Sequence, residues 1–74
     1  MNKKHLENIA SLTRRERQTL KHLVTGRSKN TIACMMRLSP STVHEYTKGV
    51  YRKMGVNSRF KLMAIFMQDA AKHI

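Results

Sequence analysis

Helix-start signals recur along this chain at intervals that leave room only for short helices. Thr13 and Glu16 have the spacing of a capping box, in which each side chain bonds the other's free backbone N–H group. Gly26 then ends that helix, because glycine takes the left-handed conformation without steric cost. Three further N-capping residues follow, namely Ser28, Ser39 and Ser58. No segment shows sustained strand alternation, so the sequence predicts an all-α fold, a compact four-helix domain.

The predicted domain spans residues 13–72, and its helices carry apolar residues at helical spacing. We predict helices over about 14–25, from about 28 to Arg37 or Leu38, over about 40–54, and from about 58 to Lys72. Residues 1–12 are weakly patterned and are expected to form an N-terminal arm or a short helical turn. The short connections suit helices that pack against their neighbours in one domain.

The charge is far from balanced. Fifteen Lys and Arg stand against four acidic residues, which gives a formal net charge of +11 on 74 residues. Such an excess favours polyanionic partners, with nucleic acid first and an anionic membrane surface second. No apolar run approaches the roughly 18 residues that a membrane span needs.

Little in the sequence suggests an enzyme. The four histidines and the single cysteine, Cys34, show no zinc-ligand spacing, and the few acidic residues form no carboxylate pair. We therefore predict no catalytic residue, metal or cofactor. Cys34 lies in an apolar helix and is predicted to be a buried structural thiol. A lone cysteine also fits a reducing compartment, which favours the cytoplasm.

The helix over about 40–54 has one apolar and one polar side at 100° per residue. The side predicted to be buried comprises Val43, Thr47, Val50 and Met54. The outward side comprises Ser41, Glu45, Lys48 and Arg52, with His44 on its flank. Gly49 is also predicted to point outward, where a glycine lets another group approach the helix backbone closely.

Side chains of this kind can read DNA. Lysine donates to guanine and glutamate accepts from cytosine in the major groove, which admits one α-helix. The alternative is an ordinary solvated helix face. The short helix before it and a three-residue turn complete a helix-turn-helix pattern, which favours DNA.

The stretch "LTRRERQTLKHLVTGRSKNTIACMMRLSPSTVHEYTKGVYRKMGVNSR" resembles the LuxR-type (GerE-type) helix-turn-helix of bacterial transcription regulators, over roughly residues 12–66. Its markers are Leu12-Thr13, Arg15-Glu16, Leu20, Gly26, Ser28, Ile32-Ala33, Leu38-Ser39, Thr42-Val43, Val50, Arg52-Lys53 and Gly55-Val56. The chain departs from the usual family pattern at Thr31, His44, Tyr46 and Lys61.

This resemblance implies that the third of the four predicted helices enters the major groove of double-stranded DNA. It places base contacts on His44, Glu45 and Lys48. It places phosphate contacts on Lys29, Asn30, Ser39 and Thr42, to which we add Ser41, Arg52 and Lys53 as polar or basic residues of the same helix.

The last predicted helix, "RFKLMAIFMQDAA", is apolar on two sides and so needs two burial partners. One is the core, and a second copy of the chain is the simplest other. The resemblance also implies dimers through this helix, and we predict that Met63, Met67 and Ala70, rather than the Leu62 side, form the contact. Two alternatives stay open: the methionines fill an irregular core, or the fold is an interaction module that binds a protein partner through this helix.

The expected partners are therefore double-stranded DNA and a second copy of the chain, with RNA polymerase as a further candidate. We expect no membrane and no small-molecule ligand for this chain. The expected location is the bacterial cytoplasm, with association to the nucleoid when DNA is bound. The sequence is compatible with a stand-alone regulator and with the C-terminal domain of a longer protein.

Overall fold

The chain is built from helices throughout the part that the structure describes. The computed structural model describes the backbone of residues 1–71 and the side chains of residues 1–67. Within those bounds it has five helices and no strand: α1 (Lys3–Ala10), α2 (Arg14–Val24), α3 (Lys29–Met36), α4 (Pro40–Met54) and α5 (Arg59–Ala71). The predicted all-α class is confirmed, and the four predicted helices are α2 to α5. The predicted end at Lys72 lies outside the described residues. No helix of residues 1–71 has the length and apolar character needed to cross a membrane.

The predicted capping residues begin their helices. Thr13 Oγ1 accepts from the Glu16 N–H at 3.1 Å, and Glu16 Oε1 accepts from the Thr13 N–H at 2.9 Å, which completes the capping box. The three serines each accept from the N–H three residues later, at 3.1–3.2 Å: Ser28 from Thr31, Ser39 from Thr42, and Ser58 from Lys61. Each cap satisfies an N–H group that has no partner within its own helix.

The N-terminal segment forms a helix of its own. Asn2 caps α1 by accepting from the His5 N–H at 2.8 Å, and α1 runs for eight residues. α1 packs against α4, and Ile9 contacts the core. The segment predicted to be an arm or a short turn is thus an additional packed helix, because Ile9 finds an apolar surface that a local reading of the sequence does not reveal.

The core lies around α4, which packs against each of the other four helices. Buried apolar side chains come from all elements after α1: Leu12, Leu20, Leu23, Ile32, Ala33, Met36, Val43, Val50, Met54 and Leu62. Val43, Val50 and Met54 are on the face of α4 predicted to be buried. Thr47, predicted on the same face, is only half-buried and donates from Oγ1 to the Val43 carbonyl oxygen at 2.8 Å.

The prediction that Cys34 is a buried thiol is wrong. The structure places Cys34 on the exposed side of α3, while Ile32, Ala33 and Met36 face the core. α3 has only eight residues and packs along one face, so its remaining apolar residues stay in solvent. Met35, which is 53% exposed, follows the same rule.

Arg59 joins the start of α5 to the end of α2. Its Nε donates to the Leu23 carbonyl oxygen at 3.0 Å, and its Nη2 donates to the Arg27 carbonyl oxygen. The last carbonyl groups of a helix have no partner within it and carry partial negative charge, so a guanidinium stabilises them. Arg59 therefore holds α5 against α2, a contact between residues 32 and 36 positions apart that no local sequence signal indicates.

Candidate nucleic-acid interface

A tight turn joins α3 to α4. Arg37 adopts the left-handed conformation, with φ 58° and ψ 43°, directly after α3 ends. Its N–H bonds the Cys34 carbonyl oxygen at 3.2 Å, and the Leu38 N–H bonds the Ala33 carbonyl oxygen at 2.9 Å. This pairing satisfies the last carbonyl groups of α3, and only three residues separate the end of α3 from the start of α4. Ser39 then caps α4, so α3, the turn and α4 form a helix-turn-helix.

The polar side of α4 faces solvent along its length. Ser41, His44, Glu45, Lys48 and Arg52 are all exposed, as the sequence predicts. Val43 and Val50 on the opposite side are fully buried. The core therefore holds α4 by one face and presents the predicted base-reading residues on the other.

Two of those residues contact each other. Lys48 Nζ lies 3.2 Å from Glu45 Oε1, and their side chains are 58% and 69% exposed. An exposed ion pair of this kind contributes only about 0.2–1 kcal/mol, because water screens both charges. The ion pair can therefore break at a small cost in free energy, and each charged group can then contact the edge of a base.

The start of α3 lies beside the first turns of α4. Lys29, Pro40, Ser41, His44 and Glu45 line one shallow open cleft. A residue predicted to bind phosphate and residues predicted to read bases are thus brought together, although they lie on different helices. Asn30, next to Lys29 on α3, is also exposed.

The N-terminus of α4 presents hydroxyl groups. Ser39 Oγ and Thr42 Oγ1 share a hydrogen bond at 2.9 Å, in addition to the cap that Ser39 provides. Ser39 is exposed, whereas Thr42 is half-buried. A helix N-terminus with hydroxyl groups is a suitable environment for a phosphate oxygen.

Lys53 is not placed like the other predicted phosphate ligands. Its Nζ lies 2.7 Å from Glu16 Oε1 on α2, and its side chain is 26% exposed. Nζ also donates to the Ser11 carbonyl oxygen at 3.4 Å. Lys53 follows Arg52 on α4 but is directed toward α2, where its charge is paired with the Glu16 carboxylate.

This ion pair changes the titration of Glu16. Burial of the carboxyl by itself raises its pKa. The hydrogen bond from Lys53, the backbone hydrogen bond from Thr13 and the charge of Lys53 outweigh that effect, so the pKa of Glu16 lies below its ordinary value. Glu16 is thus a carboxylate held in a mostly buried position by the N-cap residue of its own helix and by Lys53 on α4.

Gly49 also departs from the sequence prediction. It was expected to point outward, but it is buried and faces the Glu16 carboxylate. A methyl group at this position would overlap Glu16 Oε2 and lie 3.3 Å from Glu16 Cδ. The group that approaches the helix backbone here is a side chain of α2. The capping-box spacing reveals Glu16, but no local signal reveals its contact with α4.

The two sides of α5 are distinct. Leu62 is fully buried, so the Leu62 side faces the core. Met63 is half-buried and Met67 is 65% exposed. Phe60, which lies near Met63 and was not included in the predicted dimer contact, is 81% exposed. The side chain of Ala70, the third predicted contact residue, lies outside the described residues.

A short helix, a three-residue turn and a central helix with an exposed polar face define a helix-turn-helix domain. The chain belongs to the luxR family of bacterial regulatory proteins, whose family pattern matches residues 10–66. The predicted resemblance is confirmed.

Individual relatives agree with this assignment. The chain is 38% identical to the transcriptional regulatory protein FixJ of Bradyrhizobium diazoefficiens over 60 residues, which cover 81% of this chain and 29% of FixJ. It is 32% identical to the transcriptional regulatory protein TdiR of Thauera aromatica over 68 residues, which cover 92% of this chain and 30% of TdiR. The crystal structure of full-length FixJ from B. japonicum matches with a TM-score of 0.80 at 34% identity, covering 90% of this chain and 33% of that one.

These relatives are transcriptional regulators by name. This chain spans about a third of the length of each.

Proposed function

We propose that this domain binds double-stranded DNA in a sequence-specific way and regulates transcription, with α4 in the major groove. The observation that carries this proposal is the exposed polar side of α4, held outward by a fully buried opposite side. A major groove accommodates one α-helix, and its base edges offer partners for the carboxylate of Glu45 and the ammonium of Lys48. His44 lies on the same exposed side and completes the proposed base-reading set.

Phosphate contacts come from the residues that surround this helix. Lys29 and Asn30 at the start of α3, the hydroxyl groups at the start of α4, and Arg52 near its end are the proposed ligands. Phosphate contacts fix the orientation of a protein on the duplex and carry little sequence information themselves. The formal charge of +11 supports binding of this kind. Lys53 is left out, because it is paired with Glu16.

The test has two stages. Selection of bound fragments from random duplex DNA should enrich a common sequence. Affinity for that site and for a scrambled duplex of equal length is then measured between about 50 and 200 mM salt. We expect a steep salt dependence for both duplexes and a preference of at least about a thousandfold for the selected one. Enrichment of no sequence would contradict the proposal.

We also propose that two copies bind together through the exposed side of α5, at least on DNA. Phe60 and Met67 leave a large apolar surface in solvent, with Met63 half-exposed beside them. Burial of such a surface against its own copy gives a two-fold symmetric dimer. Its two α4 helices would read an inverted repeat with half-sites about one helical turn apart.

The same exposed side of α5 supports a second candidate, an interaction module that binds a protein partner. Binding through apolar side chains depends little on salt, whereas neutralisation of phosphates depends on it steeply. Measurement of binding against salt therefore separates the two functions.

A further inference from the structure

The carboxylate of Glu16 connects the start of α2 to the second half of α4. Its Oε1 accepts from the Thr13 N–H at 2.9 Å and from Lys53 Nζ at 2.7 Å. Its Oε2 faces the backbone of α4 at Gly49, so closely that no side chain fits between them. Glu16 therefore contacts α4 at two points, Gly49 and Lys53, which lie about one helical turn apart.

Gly49 needs an explanation of its own. A glycine inside a helix is unfavourable relative to alanine, and Gly49 is not at one of the positions where this chain takes a positive φ. Backbone conformation therefore does not require glycine here. The position is buried, and the carboxylate of Glu16 occupies the space where a Cβ atom would lie. The close approach of Glu16 is the physical reason for this glycine.

These contacts adjoin the residues proposed to read bases. Gly49 directly follows Lys48, and Lys53 directly follows Arg52. The apolar contacts of α4 through Val43 and Val50 are not directional, whereas a hydrogen-bonded ion pair is. A rotation of α4 by about 15° would move an atom about 6 Å from the helix axis by about 1.5 Å. Hydrogen-bond distances vary only between roughly 2.7 and 3.2 Å, so a shift of about 1.5 Å would break a hydrogen bond to a base.

We propose that Glu16 is a positioning residue for DNA recognition, which through Gly49 and Lys53 fixes the rotation of α4 about its axis. The bases that Glu45 and Lys48 reach then depend on a carboxylate of α2 that itself touches no DNA. This inference rests on the proposed function. It extends that function by assigning a specificity role to residues outside the exposed side of α4.

The test compares the wild-type protein with Gly49→Ala. The readout is the specificity ratio, which is the affinity for the selected duplex divided by the affinity for the scrambled one. Both are measured at one salt concentration and at a temperature where circular dichroism shows each protein folded. The added methyl group displaces the carboxylate and with it α4. We expect the ratio to fall at least about tenfold, as loss of one good base contact would produce, with scrambled-duplex affinity changed less than about twofold.

A rescue experiment identifies the cause. Glu16→Asp removes one methylene and withdraws the carboxylate from Gly49. Gly49→Ala introduced into that background should lower the ratio by less than about threefold, so the two substitutions are coupled. If Gly49→Ala does not fold, Glu16→Gln is the second variant, and it should lower the ratio at least about threefold.

The outcomes separate the two proposals. A purely structural role for Glu16 would lower both affinities together and leave the ratio unchanged, which would overturn the inference. An equal effect of Gly49→Ala in both backgrounds would overturn it too. A wild-type protein that does not distinguish the two duplexes would overturn the proposed function, and the inference with it.

Discussion

Lys53 Nζ lies 2.7 Å from Glu16 Oε1, across the contact between α4 and α2. Lys53 and its neighbour Arg52 therefore direct their charges to different places, one toward Glu16 on α2 and one toward solvent. Lys53 is thus a basic residue that stabilises the fold, whereas Arg52 is a basic residue available to a polyanion.

Substitution of Lys29 should affect DNA binding, whereas substitution of Lys53 should affect the stability of the fold. Lys29→Ala should weaken binding to all duplexes about equally and lower the log–log salt slope by roughly one unit, because one phosphate contact is removed. Lys53→Ala should leave that slope unchanged. It should lower the free energy of unfolding by about 1–3 kcal/mol, since a mostly buried carboxylate loses a partner. Salt titrations and urea denaturation of both variants measure these effects. An unchanged slope in Lys29→Ala would show that Lys29 is solvated surface.

Glu45→Ala and Lys48→Ala should change which sequence is preferred. Each good base contact discriminates by about 1–3 kcal/mol against the wrong base, so single-base variants of the selected site should be ranked differently. Their exposed ion pair adds little to stability, so both variants should unfold like the wild type. Binding to a panel of single-base variants provides the measurement. Weaker binding with the wild-type ranking would contradict the base-reading role.

Met67→Glu should prevent pairing of two copies without unfolding the domain. Met67 is 65% exposed, so the introduced carboxylate remains solvated in a single copy. In a dimer it would lose its water and find no opposite charge to pair with. Cooperative occupation of paired half-sites should be lost, as footprinting and sedimentation on DNA would show.

Leu62→Ala is the matched control on the other side of α5. Leu62 is fully buried, so its truncation should cost about 2–5 kcal/mol of stability. Cooperative binding by Met67→Glu would place the contact elsewhere.

Stability should fall in acid partly because of Glu16. Its pKa in the folded protein lies below the ordinary value of 4.5. The folded state therefore binds this proton less readily than the unfolded state does. The resulting contribution to the free energy of unfolding is present above about pH 4.5 and is lost as the pH falls through the folded pKa. Glu16→Gln should flatten the dependence in this window. Urea denaturation at several pH values measures it, and identical slopes in both proteins would contradict the shift.

Much of the fold could be predicted because its signals are local. A capping residue bonds an N–H only three residues away, so Ser39 identifies the start of α4 without any knowledge of the rest of the chain. The outward position of Lys48 follows from helical periodicity for the same reason. Cys34 shows the limit of such reasoning: its neighbours are apolar, but α3 is too short and too peripheral to bury every apolar residue.

By itself, the sequence determined the all-α class, the starts of α2 to α5, the polar side of α4 and the excess of positive charge. The tertiary structure decided that Lys53 pairs with the Glu16 carboxylate and that Gly49 leaves space for it. It also decided that Leu62 rather than Met67 faces the core. Glu16 and Lys53 are 37 residues apart in the chain. Local propensity acts over a few residues, whereas such a contact exists only when packing brings two helices together, so no short stretch of sequence contains it.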